Sequence, residues 1–299
     1  MSPISRRHAL AILGAASGML ATKAFSADSE TRFGPVCAFG KHLQWLSFDE
    51  LADFLAENDF DGLEATIRRG GQVEPENVER DLPKLVKALA KRDRKVYLAT
   101  SDVNADSPLS RRVLKALAEH RIPFYRMSYY RYDLKQPIMK QIDEFRSSAE
   151  KLAKLNEEFG ITGVYQNHAG AKNLGGTIWD IRELLKDISP DHIGVAFDIR
   201  HVTVEAGQSW PVVWSLIKDH IRFIYAKDFI WDGTRTTNVP LGTGQVSDAL
   251  WQTVRNEVPE GTPISMHMEY HDHRDRDLLK TCMDAYVTDR KMLKKRWGV

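Results

Sequence analysis

The stretch Ile193-Gly194-Val195-Ala196-Phe197-Asp198-Ile199-Arg200-His201 is a short apolar run, preceded by Ser189-Pro190, that ends in three ionisable residues. A short apolar run of this kind suits a strand buried on both faces of a parallel sheet. Strand alternation places Asp198 and Arg200 on one face, at and just beyond the strand's C-terminal end. A carboxylate, a guanidinium and an imidazole leaving a buried strand together are costly to desolvate unless they meet partners. In α/β proteins that end is where ligands bind. The competing reading is a capped strand end with a solvated ion pair, and the rest of the chain decides between them.

Outward from this stretch, strands and helices alternate. Expected strands are Gly34–Phe39, Gly62–Thr66, Lys95–Thr100, Pro123–Met127, Thr162–His168, Ile193–Asp198, Ile221–Asp228 and Pro263–Glu269. Expected helices are Asp49–Glu57, Val78–Arg92, Pro108–His120, Ile138–Phe159, Thr177–Ile188, Trp210–Ile217, Ser247–Glu257 and Asp275–Lys295. Ser47 and Glu50 form a capping-box pair ahead of the first helix, and Gly160 stops the fourth. Eight such units in one chain of this length predict a single-domain (β/α)₈ TIM barrel over residues 27–299. A doubly wound open sheet would place a glycine-rich turn after the first strand, and none stands there.

Bulk properties narrow the function. The chain has 299 residues, 42% of them hydrophobic, and a formal net charge of +1. That balance gives no strong field toward nucleic acid or an anionic membrane. Its two cysteines, Cys37 and Cys282, form neither a disulfide framework nor a zinc spacing. Buried thiols are the simpler reading, with one disulfide left open by the prospect of export.

Ser5-Arg6-Arg7-His8-Ala9-Leu10 resembles the twin-arginine export signature, with Ala where Phe is usual. The apolar run from Ala9 to Ala21 is too short to span a bilayer. Small residues at Ala24 and Ser26 fit a cleavage site. Residues 1–26 are therefore expected to be an export signal, the mature chain to begin near Ala27, and the protein to reach the periplasm without lasting membrane insertion.

The C-terminal ends of the eight strands all carry polar or ionisable residues. They include Lys41-His42, Glu64, Thr100-Ser101-Asp102, Arg126, Gln166-Asn167-His168, Asp198 to His201, Lys227-Asp228 and His267-Met268-Glu269. Convergence on one face predicts a polar pocket of mixed charge for a hydroxylated small molecule. Gln166-Asn167-His168, Asp198-x-x-His201, Lys227-Asp228 and Glu269, in that order, resemble the motifs of the xylose isomerase-like TIM-barrel superfamily. The resemblance spans nearly all of the mature chain. It implies a divalent metal, Mn²⁺ or Mg²⁺, with Asp198 and Glu269 at matching ligand positions. Two positions depart: Gln166 stands where the family has Glu, and Tyr225 where it has His. A Gln carbonyl can still ligate a hard cation, without charge, while a neutral Tyr is a poor ligand.

The implied chemistry is proton transfer beside a carbonyl through an enediolate. Glu269 is the first choice of base, with His201 or Glu64 opposite and Lys227 or Arg200 facing the oxyanion. Glu64, Asn167, His168, Arg200 and His267 are expected to hold substrate. The substrate class is a free or keto-sugar or a related polyol, and the reaction an isomerisation or epimerisation. The alternatives are elimination from the same intermediate, as in a lyase or hydratase acting on a 3-keto-glycoside, and a barrel that has lost its metal and only binds carbohydrate. A phosphoesterase of the endonuclease IV kind lacks its basic groove here. Glu64 is also open to simple pairing with Arg68. His271-Asp272-His273 reads as a solvated approach to the last helix rather than a metal cluster. Tyr129 to Tyr132 read as a cover for the barrel mouth or a platform for a sugar ring. Oligomerisation is left open.

Overall fold

The computed structural model describes residues 32–299; the expected export signal at 1–26 lies outside them. Ten strands occur among the described residues: β1 (Phe33–Phe39), β2 (Gly62–Ile67), β3 (Lys95–Ser101), β4 (Phe124–Arg126), β5 (Thr162–Gln166), β6 (Ile193–Asp198), β7 (Ile221–Ala226), β8 (Asp228–Asp232), β9 (Arg235–Val239) and β10 (Thr262–Met266). Eight close into a parallel barrel in the order β1-β10-β7-β6-β5-β4-β3-β2, and β8 and β9 form a separate antiparallel hairpin. The helices are α1 (Phe48–Glu57), α2 (Val78–Ala90), α3 (Pro108–Glu119), α4 (Ile138–Phe159), α5 (Trp179–Leu184), α6 (Ile199–Ala206), α7 (Trp210–Ile217), α8 (Asp248–Glu257) and α9 (Leu279–Trp297). The architecture is a (β/α)₈ TIM barrel.

Local chemistry sets the element ends. The Ser47 hydroxyl accepts from Glu50 N, and the Glu50 carboxylate accepts from Ser47 N, closing the capping box of α1. Gly160 takes a φ of 63° and ends α4 in the left-handed conformation that glycine adopts freely. On β6 the alternation is visible directly: Phe197 turns outward to meet Trp214 of α7 edge-on at 5.3 Å, and Ala196 packs inside the barrel with Cys37, Leu98, Val164, Phe223 and Tyr225. That inner apolar layer fills the barrel, so ionisable groups gather only above it.

The structure corrects several expectations. Arg200 does not continue the β6 strand. The Asp198 carboxylate accepts from Arg200 N and His201 N at 3.1 and 3.0 Å and caps α6, a helix not expected from the sequence. The fifth helix is shorter than expected, because the chain from 167 to 178 folds as loop before Trp179. Strand β7 stops at Ala226, and Asp228 opens the unexpected hairpin. Asp228 also ties down the following loop, accepting from Phe229 N, Gly242 N, Gly244 N and Val246 N. A side chain at Gly244 would place its Cβ 2.3 Å from Asp228 Oδ1, so that loop needs glycine there. Cys37 and Cys282 are both free and buried, so the disulfide left open above does not form.

Candidate active site

A cavity of about 210 Å³ opens at the C-terminal ends of the barrel strands. Phe39 and Lys41 reach it from β1, Arg68 from β2, Arg126 and Tyr129 from β4, Gln166 and His168 from β5, Lys227 from β7, and His267 and Glu269 from β10. A second cavity of about 290 Å³ lies toward α3, lined by Ile67, Val103, Leu109 and Val113 with charges only at its exposed rim. The first holds the buried ionisable groups and is the candidate site.

One network is built on Lys227, which is 4% exposed. Its ammonium lies 2.9 Å from Asp198 Oδ2 and 3.0 Å from Glu269 Oε2. Burial alone would lower its pKa; Asp198 and Glu269 outweigh burial and raise it, so the ammonium stays charged. Glu269 also pairs with Lys41 at 2.9 Å, and its side chain remains 18% exposed. Burial would raise this carboxyl, but Lys227, His267 and Lys41 hold it well below the usual carboxylate range. Behind Lys227, Gln166 Nε2 donates to Asp198 Oδ2 at 2.8 Å, and the Tyr129 hydroxyl donates to Gln166 Oε1. The Asn167 amide clamps the Asp198 backbone, accepting from its N–H at 2.7 Å and donating to its carbonyl at 3.1 Å.

The other network is built on Glu64, which is fully buried. It does not pair with Arg68. Its Oε1 accepts from Thr100 at 2.5 Å and Tyr225 at 3.1 Å; its Oε2 accepts from Ser265 at 2.5 Å and His267 at 2.8 Å. Burial pushes this carboxyl up, and His267 with the two hydroxyls brings it below its ordinary value. His267 is in turn raised, because Glu64 outweighs the effect of burial. Its ring lies between Phe39 at 4.2 Å and Tyr225 at 4.1 Å, and its Nδ1 is 3.7 Å from Glu269. Tyr225, the departure from the family pattern on this strand, serves Glu64 as a donor.

The two histidines after β5 and β6 part company. His168 borders the cavity. Its Nδ1 is 2.8 Å from the Ala169 carbonyl, which can only accept, so Nδ1 carries the hydrogen and Nε2 the lone pair. Burial, and then Lys227, lower His168 to about 4. His201 stacks behind it with ring centres 3.9 Å apart. An Arg200 N–H donates to His201 Nδ1 at 2.8 Å, so this lone pair is occupied. Burial followed by Lys227, His168 and Arg200 keep His201 neutral, well below its ordinary value. His201, expected as a second proton carrier, lies behind His168 and off the cavity lining, with its Nε2 3.6 Å from Asp198 Oδ2. Arg200 is likewise not on the cavity: its other N–H donates to Thr236 of β9 at 2.7 Å, and its guanidinium covers Phe229.

The donor set does not fit a divalent cation. Of the expected ligands, Asp198 and Glu269 meet at the Lys227 ammonium, and Gln166 lies against Asp198. Gln166 turns its N–H toward Asp198 and commits its carbonyl to Tyr129. Among the described residues, no group of three His, Cys, Asp or Glu side chains is arranged to hold a metal. His271-Asp272-His273 makes no such group either; Asp272 pairs with Arg274.

Of the residues expected at the site, the structure brings Glu269, Lys227, His168, His267 and Gln166 to the cavity and sets Asp198 and Glu64 behind it. Arg126, Arg68 and Lys41 had no binding role in the sequence reading, and Tyr129 stood only as a mouth cover or a platform for a sugar ring. The signal for Arg126 and Lys41 was present, since both follow a barrel strand; Arg68 and Tyr129 sit on loops whose paths the sequence does not disclose.

A search of curated proteins finds no match. Among solved structures, the fold is similar to the zinc-bound IolI protein (TM-score 0.70, 13% identity, 88% of this chain and 98% of that one). It is also similar to 3-keto-D-glucoside 4-epimerase from E. coli (0.62, 16%, 86% and 99%) and to the probable 3-DHS dehydratase from Bacillus anthracis (0.64, 15%, 85% and 98%). At these identities the likeness establishes fold alone. Residues 52–295 match the family described as xylose isomerase-like TIM barrel, and with most of the barrel inside that match the chain belongs to this family.

Proposed function

We propose that this protein is a sugar isomerase- or epimerase-type enzyme that moves a proton beside a carbonyl on a free or keto-sugar or related polyol. The observation that carries the reading is the Lys227 ammonium, held between Asp198 and Glu269 on the cavity wall. Solved relatives in fold include a named epimerase and a probable dehydratase, which supports chemistry of this type.

In this reading the substrate carbonyl oxygen meets the Lys227 ammonium. Glu269 takes the proton from the neighbouring carbon, and the enediolate oxygen is stabilised by the buried cation. Glu269 is a weak base here, so the driving force comes from the ammonium more than from base strength. Glu269 returns the proton to the adjacent carbon. His168 Nε2 takes the proton of the hydroxyl that becomes the new carbonyl and passes it to the enediolate oxygen. The family's divalent metal is not needed for any of these steps.

The test is proton NMR in D₂O over a panel of aldoses, ketoses, keto-sugars and polyols. Wild type exchanges the C–H beside the carbonyl with solvent; Glu269→Gln and Lys227→Met do not. A new conjugated carbonyl absorbance in place of simple exchange would move the reading to elimination. Binding with no exchange anywhere in the panel would leave a carbohydrate-binding barrel. Export belongs to the same proposal: a reporter fused behind residues 1–26 should reach the periplasm only with Arg6 and Arg7 intact.

A further inference from the structure

The cation count at the cavity exceeds what the reaction uses. Lys41, Arg68, Arg126 and Lys227 line it. Glu269 and Asp198 neutralise the two lysines. Glu64 is paired with His267. Among the described residues, Arg126 and Arg68 have no carboxylate within ion-pair distance. Arg126 is 5% exposed; its Nε reaches Thr100 Oγ1 at 3.4 Å, its guanidinium lies 4.8 Å over the Tyr129 ring, and its Nη1 is buried with no partner. The carboxylate nearest to Arg68 in influence, Asp102, is exposed and accepts from Arg69 N at 3.1 Å. A buried guanidinium with an unpaired N–H is costly, and the cost is recovered when an anion arrives.

We propose that the substrate carries a carboxylate, that Arg126 binds it with Arg68 beside it, and that the ligand class is a sugar acid that also bears an aldehyde or ketone: a uronate or a keto-aldonate. This rests on the reading of the site as a proton-transfer centre and names the substrate of that centre. The planar guanidinium fork matches a carboxylate in two-point geometry. A phosphate ester fits less well. Barrels of this type hold phosphate on backbone N–H groups at the loops after strands seven and eight. The surplus here is made of side chains that follow β2 and β4, not of the ends of β7 and β10 that carry Lys227 and Glu269. The arrangement puts the carboxylate at one end of the substrate and the reacting carbonyl at the other.

Isothermal calorimetry on matched sets decides it, for example glucuronate and 5-ketogluconate against glucose, fructose and glucose 6-phosphate. The sugar acid is expected to bind at least about 10-fold more tightly than its neutral twin, as befits a charge-assisted pair. The preference should weaken with salt and disappear in Arg126→Gln. Arg68→Gln, at a half-buried loop position that spares the fold, should reduce it by a smaller factor. Equal binding of the neutral twin, preference for the phosphate, an acid preference that survives both substitutions, or no binding by any sugar acid in the panel would overturn the proposal. The same panel in D₂O separates this from the reaction itself. Acid binding without exchange would sink proton transfer and leave the anion site standing; exchange of neutral sugars with no acid preference would do the reverse.

Discussion

Glu64 on β2 and Glu269 just beyond β10 belong to the two strands that flank β1, and the barrel mouth uses these neighbouring carboxylates differently. Glu64 receives four donors, from Thr100, Tyr225, Ser265 and His267, and is closed off from solvent. Glu269 meets two lysines and stays partly open on the cavity. A carboxylate whose lone pairs are all occupied holds its neighbours in place. One facing a cavity, with a cation at its side, can exchange a proton with a ligand. Identical chemistry in the sequence thus becomes scaffold in one case and candidate reagent in the other, and His267, within reach of both, is the joint between them.

Lys227→Met should break this contrast hardest. It leaves Asp198 buried without its cation, and removing one member of a buried pair costs about 3–5 kcal/mol. Chemical denaturation should show that loss, and deuterium exchange should vanish. Adding Asp198→Asn should recover much of the stability and none of the exchange; recovery of both would remove Lys227 from the reaction. Glu269→Gln comes next. It should lower the exchange rate by about 10³-fold, within the range for losing a positioned acid–base group, at a stability cost well below that of Lys227→Met. A large stability loss with intact exchange would make Glu269 a rim ion pair.

Glu64→Gln sharpens the comparison from the other side. Its main effect should be on stability, about 1–3 kcal/mol, because donors aimed at a carboxylate lose part of their acceptor. The pH dependence gives a finer check. Glu64 is lowered, so its contribution is present above the ordinary carboxyl value of 4.5 and is lost as pH falls through the folded value. His267 is raised, so its contribution is present below the ordinary imidazole value of 6.5 and is lost as pH rises through the folded value. The pair therefore contributes most between those two ordinary values, and the variant should lose its stability maximum there. An NMR titration should also find His267 lower in the variant than in wild type, since Glu269 is then the carboxylate left to oppose burial.

The barrel was legible in the sequence because every strand is a short apolar run ending in polar residues. Where such a run was followed by more polar chain, the sequence understated the folding. Ile199–Ala206 became a helix because Asp198 could cap it, and β8–β9 formed because Asp228 gathered four backbone N–H groups. At the site, residue types and strand ends pointed to the right mouth, but pairing was hidden. No spacing rule says that Glu64 would take four donors from three other strands, or that Arg200 would turn to the hairpin while Arg126 faced the cavity. These depend on which side chains the closed barrel brings within 3 Å of each other, at separations in this site of up to 228 residues.

His168 offers the smallest expected effect and a separate handle on the Lys227 side. Its Nδ1–H is committed to the Ala169 carbonyl, so a second proton can only go to Nε2. Burial and Lys227 both oppose that proton, and the ring titrates near 4 instead of 6.5. Nε2 is therefore a free acceptor at all pH values above about 4, and the acid limb of kcat/KM should fall there. A limb near 6.5 would mean that His168 is solvated during turnover, or that another imidazole carries the proton. His168→Asn should slow turnover by roughly 100-fold, the lower end for an acid–base group, and should erase that limb if the ring relays the proton. In Lys227→Met the ring loses a neighbouring cation, so its NMR titration should move upward even though exchange is abolished. An unmoved titration would place His168 outside the field of Lys227 and break the link between the two groups that the proposed reaction requires.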